Sequence, residues 1–244
     1  MLPRVKLISY SKFVEDLDAE ESEVFNKKED DDITADSTVQ ETKNNENKLV
    51  NMIAYCARVS NPTNQNNHLT SRKLVQYLID KKHWSPFEMV SICLKIETTR
   101  DIARQILRHR SFSFQEFSQR YASPEMEFEK KELRLQDTKN RQNSLETDDE
   151  ELGKEWERLQ DECASKAKEV YNWAVSNNIA KEQARSVLPE GMTHTTLYMH
   201  GTMRSWLHYL ESRTYWGTQK EHRILAKMCQ EEIQRIFPIN DFIK

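Results

Sequence analysis

The 244-residue chain carries 36 Lys and Arg against 40 Asp and Glu, a formal charge of −4. That length can bury the core of one large domain or two small ones, and the net acidity offers no overall attraction to nucleic acid or an anionic membrane, so any positive site must be local. Four cysteines without C-x-x-C spacing argue against a disulfide framework or zinc cluster, and four scattered glycines leave no P-loop or dinucleotide fingerprint, so phosphate would have to be held by arginine.

The opening MLPRVKLISYSKF lacks the apolar core of a signal peptide, and no run approaches the roughly 20 apolar residues that span a bilayer. A soluble, cytoplasmic protein is expected. Val5, Leu7 and Ser9 alternate with Lys6, Ile8 and Tyr10, which predicts a first strand. Ten acids against two lysines then fill the stretch from Glu15 to Asp32. Residues 15–46 read as a flexible, solvated insertion, because so little apolar material cannot offset the entropy of ordering.

Periodic sequence resumes at Leu49, Val50, Ile53 and Ala57, spaced for a helix. Thr70 or Ser71 caps a second helix bearing Leu74, Val75, Leu78 and Ile79. His83 to Pro86 form a loop, after which Val90, Ile92, Leu94 and Ile96 alternate with polar residues as a half-buried strand. RDIARQILRHR is a helix whose Ile102, Ala103, Ile106 and Leu107 make the apolar stripe, with Gln105 and Arg108 together on another face. Its basic end has two readings, a cap on the helix dipole or an anion site.

Residues 125–149 are charged and without apolar period, a second surface insertion. A long helix follows, with Leu152, Trp156, Leu159, Cys163, Ala167, Val170 and Ala174 facing core or a subunit interface. AKEQARSVLP is a short helix carrying Arg185 and stopped by Pro189. THTTLYM is a strand. GTMRSWLHYLESR turns Trp206, Leu207 and Leu210 inward and leaves Arg204, His208 and Glu211 on another face, and a last helix runs from about Glu221 to Phe237.

The segment RHRSFSFQEFSQRY, residues 108–121, concentrates donors and aromatics. If QEFSQRY is extended, Glu116, Ser118 and Arg120 share one side. A planar guanidinium fork suits phosphate, and here several are close in sequence. The segment resembles the signature R-H-R-x-x-S-x-N-E-x-S-x-R-Y of the flavin-dependent thymidylate synthase family, matching eight of nine specified positions, with Gln115 in place of the asparagine. CARVS at 56–60, HWSPFE at 83–88, ARSVLP at 184–189 and TMRSWLHYLESR at 202–213 support the resemblance in order.

The resemblance implies an α/β domain spanning 1–244, with a mixed central sheet flanked by helices, in a homotetramer whose sites lie between subunits. It implies conversion of dUMP to dTMP, with 5,10-methylenetetrahydrofolate as carbon donor, NADPH as reductant, FAD as cofactor and tetrahydrofolate as product. Carried over by position, dUMP falls to Gln105, Arg108, Glu116, Ser118, Arg120, Arg185 and Arg213, and Arg213 is the catalytic residue that activates the uracil. FAD falls to His83, Ser85, Arg108, His109, Arg110, Glu116, Thr202, Arg204 and His208. No metal, nucleic acid or membrane partner is implied. The competing reading is a single-stranded nucleic-acid module that uses the arginines for phosphate and Phe112, Phe114 and Phe117 for stacking.

Overall fold

The computed structural model describes residues 3–13, 48–123 and 127–242, so the insertion expected over 15–46 lies outside the described residues. The elements run β1 (Arg4–Tyr10), α1 (48–57), α2 (Ser71–Asp80), β2 (Ser91–Thr99), α3 (Arg100–Ile106), β3 (Ser113–Glu116), β4 (Arg134–Gln136), β5 (Ser144–Glu146), α4 (Glu150–Ser176), α5 (Lys181–Ala184), β6 (His194–Thr202), α6 (Met203–Arg213), α7 (Lys220–Gln234) and α8 (Ile239–Phe242). The main sheet has the order β1-β2-β6-β3, and β4 pairs only with β5. Met203 N donates to Val90 O and Arg100 N to Thr193 O, each at 2.9 Å, so β2 and β6 run antiparallel where a mixed sheet was expected. The chain divides into two compact units, one containing residues through Val5, Lys95–Met199 and Ser212–Ala226, the other Lys6–Leu94, His200–Glu211 and the residues from Lys227.

In the second of these units, the helical stripes read from the sequence are buried. Leu49, Val50 and Ile53 of α1, Val75 and Leu78 of α2, and Trp206, Leu207 and Leu210 of α6 all lose their solvent contact. Trp206 Nε1 donates to Ile92 O at 3.1 Å, so burying the indole leaves no orphaned donor. Thr70 takes the N-cap position of α2, yet its hydroxyl accepts from Arg58 Nη2 at 2.8 Å and does not cap the helix.

The end of α2 sets the position of His83. Lys82 N donates to Ile79 O and His83 N to Leu78 O, a Schellman ending that forces Lys82 to φ 57°. Only glycine takes that conformation without cost, and a Cβ there costs about 1–2 kcal/mol. Lys82→Gly is therefore expected to raise stability by about 1 kcal/mol and the melting midpoint by about 2–4 °C, read by thermal denaturation. An unchanged or lower midpoint would show that the lysine side chain offsets its own backbone strain. Beyond it, Ser85–Glu88 forms a 3-10 turn around buried Phe87, more ordered than the loop anticipated.

In the other unit, Asp149 caps α4 by accepting from Leu152 N at 3.0 Å, with Glu150 and Glu151 complementing the positive helix end. The apolar stripe of α4 splits. Ala167, Tyr171 and Ala174 are buried, the latter two in a cluster with Ala184 and Leu188, while Leu152, Trp156 and Leu159 remain about 40% exposed. Within the second expected insertion, Arg134 pairs with Glu146 and Leu135 with Leu145 across β4 and β5. Charge holds this hairpin where apolar periodicity is lacking. Lys220 Nζ reaches Glu146 at 2.8 Å and Glu132 at 2.9 Å, and Arg134 pairs with Glu221.

Candidate active site

α3 ends at Ile106, and the chain turns through His109 N to Ile106 O at 3.0 Å and Phe112 N to His109 O at 3.2 Å. Arg108, His109 and Arg110 therefore lie beyond the helix and not in its last turn, which removes the helix-end reading of this triplet. Arg108 and Arg110 are exposed and, among the described residues, make no side-chain hydrogen bond or ion pair. Two unneutralised guanidinium groups two residues apart suit a phosphate or pyrophosphate.

His109 is different. Arg213 Nε donates to its Nε2 at 3.0 Å. A guanidinium only donates, so Nε2 must be a lone-pair acceptor and His109 must be neutral with its proton on Nδ1. Burial and the Arg213 charge agree, lowering its pKa to about 4. The terminal nitrogens of Arg213 have no partner among the described residues, leaving a fixed cation able to meet an anion.

The extended reading of the signature holds through β3 and fails after it. Phe117 N donates to Thr196 O at 2.8 Å, then Tyr121 N donates to Ser118 O at 3.2 Å and the chain turns, burying Gln119. Glu116 and Arg120 therefore do not continue one strand face. Glu116 accepts from Thr195 Oγ1 at 2.9 Å and Arg100 Nη1 at 3.4 Å, while Arg120 is exposed and meets Glu182 at 3.5 Å. Ser118 is half-buried, with Arg120 N donating to its Oγ at 3.4 Å, and Gln115 is exposed. Glu182 lies three residues before Arg185, which is half-buried and has no side-chain partner among the described residues. The structure thus brings the Arg120 turn to the Arg185 helix.

Gln105 belongs to a chain of polar groups. Its Nε2 donates to Gln219 Oε1 at 2.6 Å, and its Oε1 lies 3.1 Å from Nδ1 of buried His222. Gln219 Nε2 donates to Glu221 at 3.0 Å. Burial raises the Glu221 carboxyl, but hydrogen bonds from Arg134 and Gln219 outweigh it and hold the pKa below the ordinary value. His222, Gln219, Glu221, Arg100 and Thr195 were absent from the sequence-derived site. Of these, only the polar QKEH run opening α7 leaves a trace in the sequence.

The other unit holds the second group of expected flavin residues. His208 is exposed on α6, with its ring 4.7 Å from Trp84 at 84°, an edge contact that brings it to the His83–Ser85 segment. Thr202 and Ser205 hydroxyls are 3.2 Å apart. Arg204 is already paired with Glu88, so its charge is shared with a carboxylate.

A sequence model described as thymidylate synthase complementing protein matches residues 37–239. The chain belongs to the thymidylate synthase complementing protein family. Among its relatives, a probable flavin-dependent thymidylate synthase of Paramecium bursaria Chlorella virus 1 is 50% identical over 192 residues, covering 79% of this chain and 88% of the relative. A flavin-dependent thymidylate synthase of Synechocystis sp. is 51% identical over 187 residues, covering 77% and 85%. The crystal structure of a UMP/dUMP methylase from Streptomyces cacaoi, bound with 5-Br dUMP, superposes with TM-score 0.73 at 23% identity, over 97% of this chain and 92% of that one. The last likeness is one of fold.

Family membership leaves the nucleic-acid reading without support, and burial argues against it independently. Phe112 is 8% exposed and Phe114 half-buried, which leaves Phe117, at 38%, the one exposed ring of the three that the stacking reading used. Among the described residues no helix is long and apolar enough to cross a membrane.

Proposed function

We propose that the chain is a flavin-dependent thymidylate synthase that methylates dUMP to dTMP, using FAD, NADPH and 5,10-methylenetetrahydrofolate and releasing tetrahydrofolate, as a cytoplasmic homotetramer with a single family domain over 1–244. The observation that carries the reading is the set of guanidinium groups at Arg108, Arg110, Arg185 and Arg213 that meet no carboxylate among the described residues, all in segments matching the family, in a chain with net negative charge. Guanidinium groups that meet no carboxylate keep their full set of donors for an anionic ligand.

The residues fit a flavin dinucleotide and a nucleotide together. Arg108 and Arg110 offer donors to a pyrophosphate, with His109 between them in the chain and Glu116 following on β3, while His83, Ser85, Thr202, Arg204 and His208 form a second polar and aromatic set. In a tetramer these two sets can come from different copies. The outward Leu152, Trp156 and Leu159 of α4 support such an assembly, since an apolar face of this kind calls for cover. The flavin, when bound, supplies hydride chemistry that no side chain provides. Gln105, Arg108, Glu116, Ser118, Arg120 and Arg185 hold and orient dUMP, and Arg213 polarises its base.

The test is turnover of dUMP with methylenetetrahydrofolate, NADPH and FAD. The expected products are dTMP and tetrahydrofolate from a yellow protein. Colourless protein that takes up no FAD and makes no dTMP would sink the proposal.

The two phosphate arginines should not weigh equally. Arg185 has no side-chain partner among the described residues, whereas Arg120 is exposed and shares its charge with Glu182. A charge-assisted hydrogen bond contributes about 1.5–3 kcal/mol, so Arg185→Ala is expected to raise the KM for dUMP by about 10- to 100-fold with FAD retained. Arg120→Ala should raise it less. Steady-state kinetics giving the reverse order would overturn the assignment.

A further inference from the structure

The polar chain around Gln105 has a direction, and its acid end sets it. Glu221 is held ionised by Arg134 and can only accept. Gln219 must then present its amide nitrogen to Glu221, at 3.0 Å, and its oxygen to Gln105. Gln105 in turn must give Nε2 to that oxygen, at 2.6 Å, and its own Oε1 to His222. For the 3.1 Å contact with His222 Nδ1 to be a hydrogen bond, the proton must sit on Nδ1. Every amide orientation, and the tautomer of a histidine 117 residues away from Gln105, follows from one carboxylate.

His222 can meet that demand at neutral pH. Its side chain is fully buried, and the charged and titratable groups facing it, Arg213 and His109, disfavour a second proton. With Oε1 engaged by His222 and one Nε2 hydrogen by Gln219, Gln105 keeps one N–H to offer. A donor is the correct group for an oxygen of phosphate or uracil.

We propose that His222 is a positioning residue for the nucleotide. As the Nδ1–H tautomer it fixes the amide of Gln105 so that an N–H points at dUMP. The inference rests on the assignment of Gln105 to dUMP.

Three measurements on the full-length flavoprotein decide it. Histidine 15N NMR is expected to show His222 neutral and protonated at Nδ1, the tautomer that free imidazole side chains populate less; protonation at Nε2 alone would overturn the proposal. His222→Phe keeps a ring but removes the donor, and should raise the KM for dUMP about tenfold while kcat stays within about threefold and FAD remains bound. His222→Asn replaces a donor near the Nδ1 position, so it should recover most of the lost dUMP affinity. An unchanged KM in His222→Phe, or an equal loss in both variants, would make His222 a packing residue only. Because wild-type turnover is measured alongside, a failure of the thymidylate synthase reading appears as no dTMP from any form and is separate from failure of this relay.

Discussion

Arg213→Ala is expected to fold, bind FAD and lose about 100- to 1,000-fold in kcat for dTMP formation at saturating dUMP. The competing account of this residue is a basic side chain complementing the C-terminus of α6, where removal would cost about 0.3–1 kcal/mol of stability and leave turnover intact. The structure weighs against that account. Among the described residues the only hydrogen bond of the Arg213 side chain goes to His109 Nε2, not to a helix carbonyl.

That hydrogen bond also explains how a flexible side chain can act as a fixed cation. His109 grips Nε and leaves the terminal nitrogens to face a ligand, so the cost of ordering the guanidinium is met before substrate arrives. A positive charge beside the uracil carbonyl stabilises negative charge developing on the ring, and carbon–carbon bond formation at C5 needs that electron density. Such help appears in the transition state more than in the ground state, so kcat should fall more than the KM for dUMP rises. Arg213→Lys should recover little, because an ammonium cannot both donate to His109 and present a planar fork. Normal saturated turnover in Arg213→Ala would reduce Arg213 to a helix end and remove the central catalytic assignment.

The sequence is a good guide where a residue's role follows from its neighbours. The burial of Trp206, Leu207 and Leu210 and the outward placement of His208 follow from a 3.6-residue period, and Ile92, Leu94 and Ile96 from a period of two. It is a poor guide where the partner is distant. The α4 stripe was correct as a periodicity, but a period says only that side chains need cover, not which surface supplies it, and Leu152 to Leu159 remain open in the single chain. Period two fails after Glu116 because a turn at Ser118 sends Gln119 inward. The family resemblance pointed to Gln105, His109 and Glu116; their supports, His222, Arg213 and Arg100, pair with them across 117, 104 and 16 positions. No local pattern records those pairings.

The two neutral imidazoles also predict how the protein fails in acid. Burial, with help from Arg213, lowers His109 to about 4, and burial with Arg213 and His109 lowers His222 to about 3. Unfolded, both titrate near 6.5. Above that value neither state carries a second proton on these rings, and their contribution is constant. Between about 6.5 and 4 the unfolded chain takes up protons that the folded one refuses, so stability must fall as pH falls, by up to two protons or on the order of 3 kcal/mol per pH unit. Denaturant unfolding at pH 7, 6, 5 and 4 should show that loss beginning near 6.5, above the range where most carboxylates titrate. His222→Phe should remove about one proton from the slope. The site follows the same logic, because a proton on His109 Nε2 replaces the acceptor of Arg213 with a second cation and releases the guanidinium. Catalysis should thus be insensitive to these rings from pH 8 to 6 and collapse only as His109 is forced to ionise. Stability that stays level from pH 7 to 5 would show that the imidazoles are charged in the folded protein and that Arg213 is not held by a neutral His109, and a slope unchanged by His222→Phe would show the same charge on His222 alone.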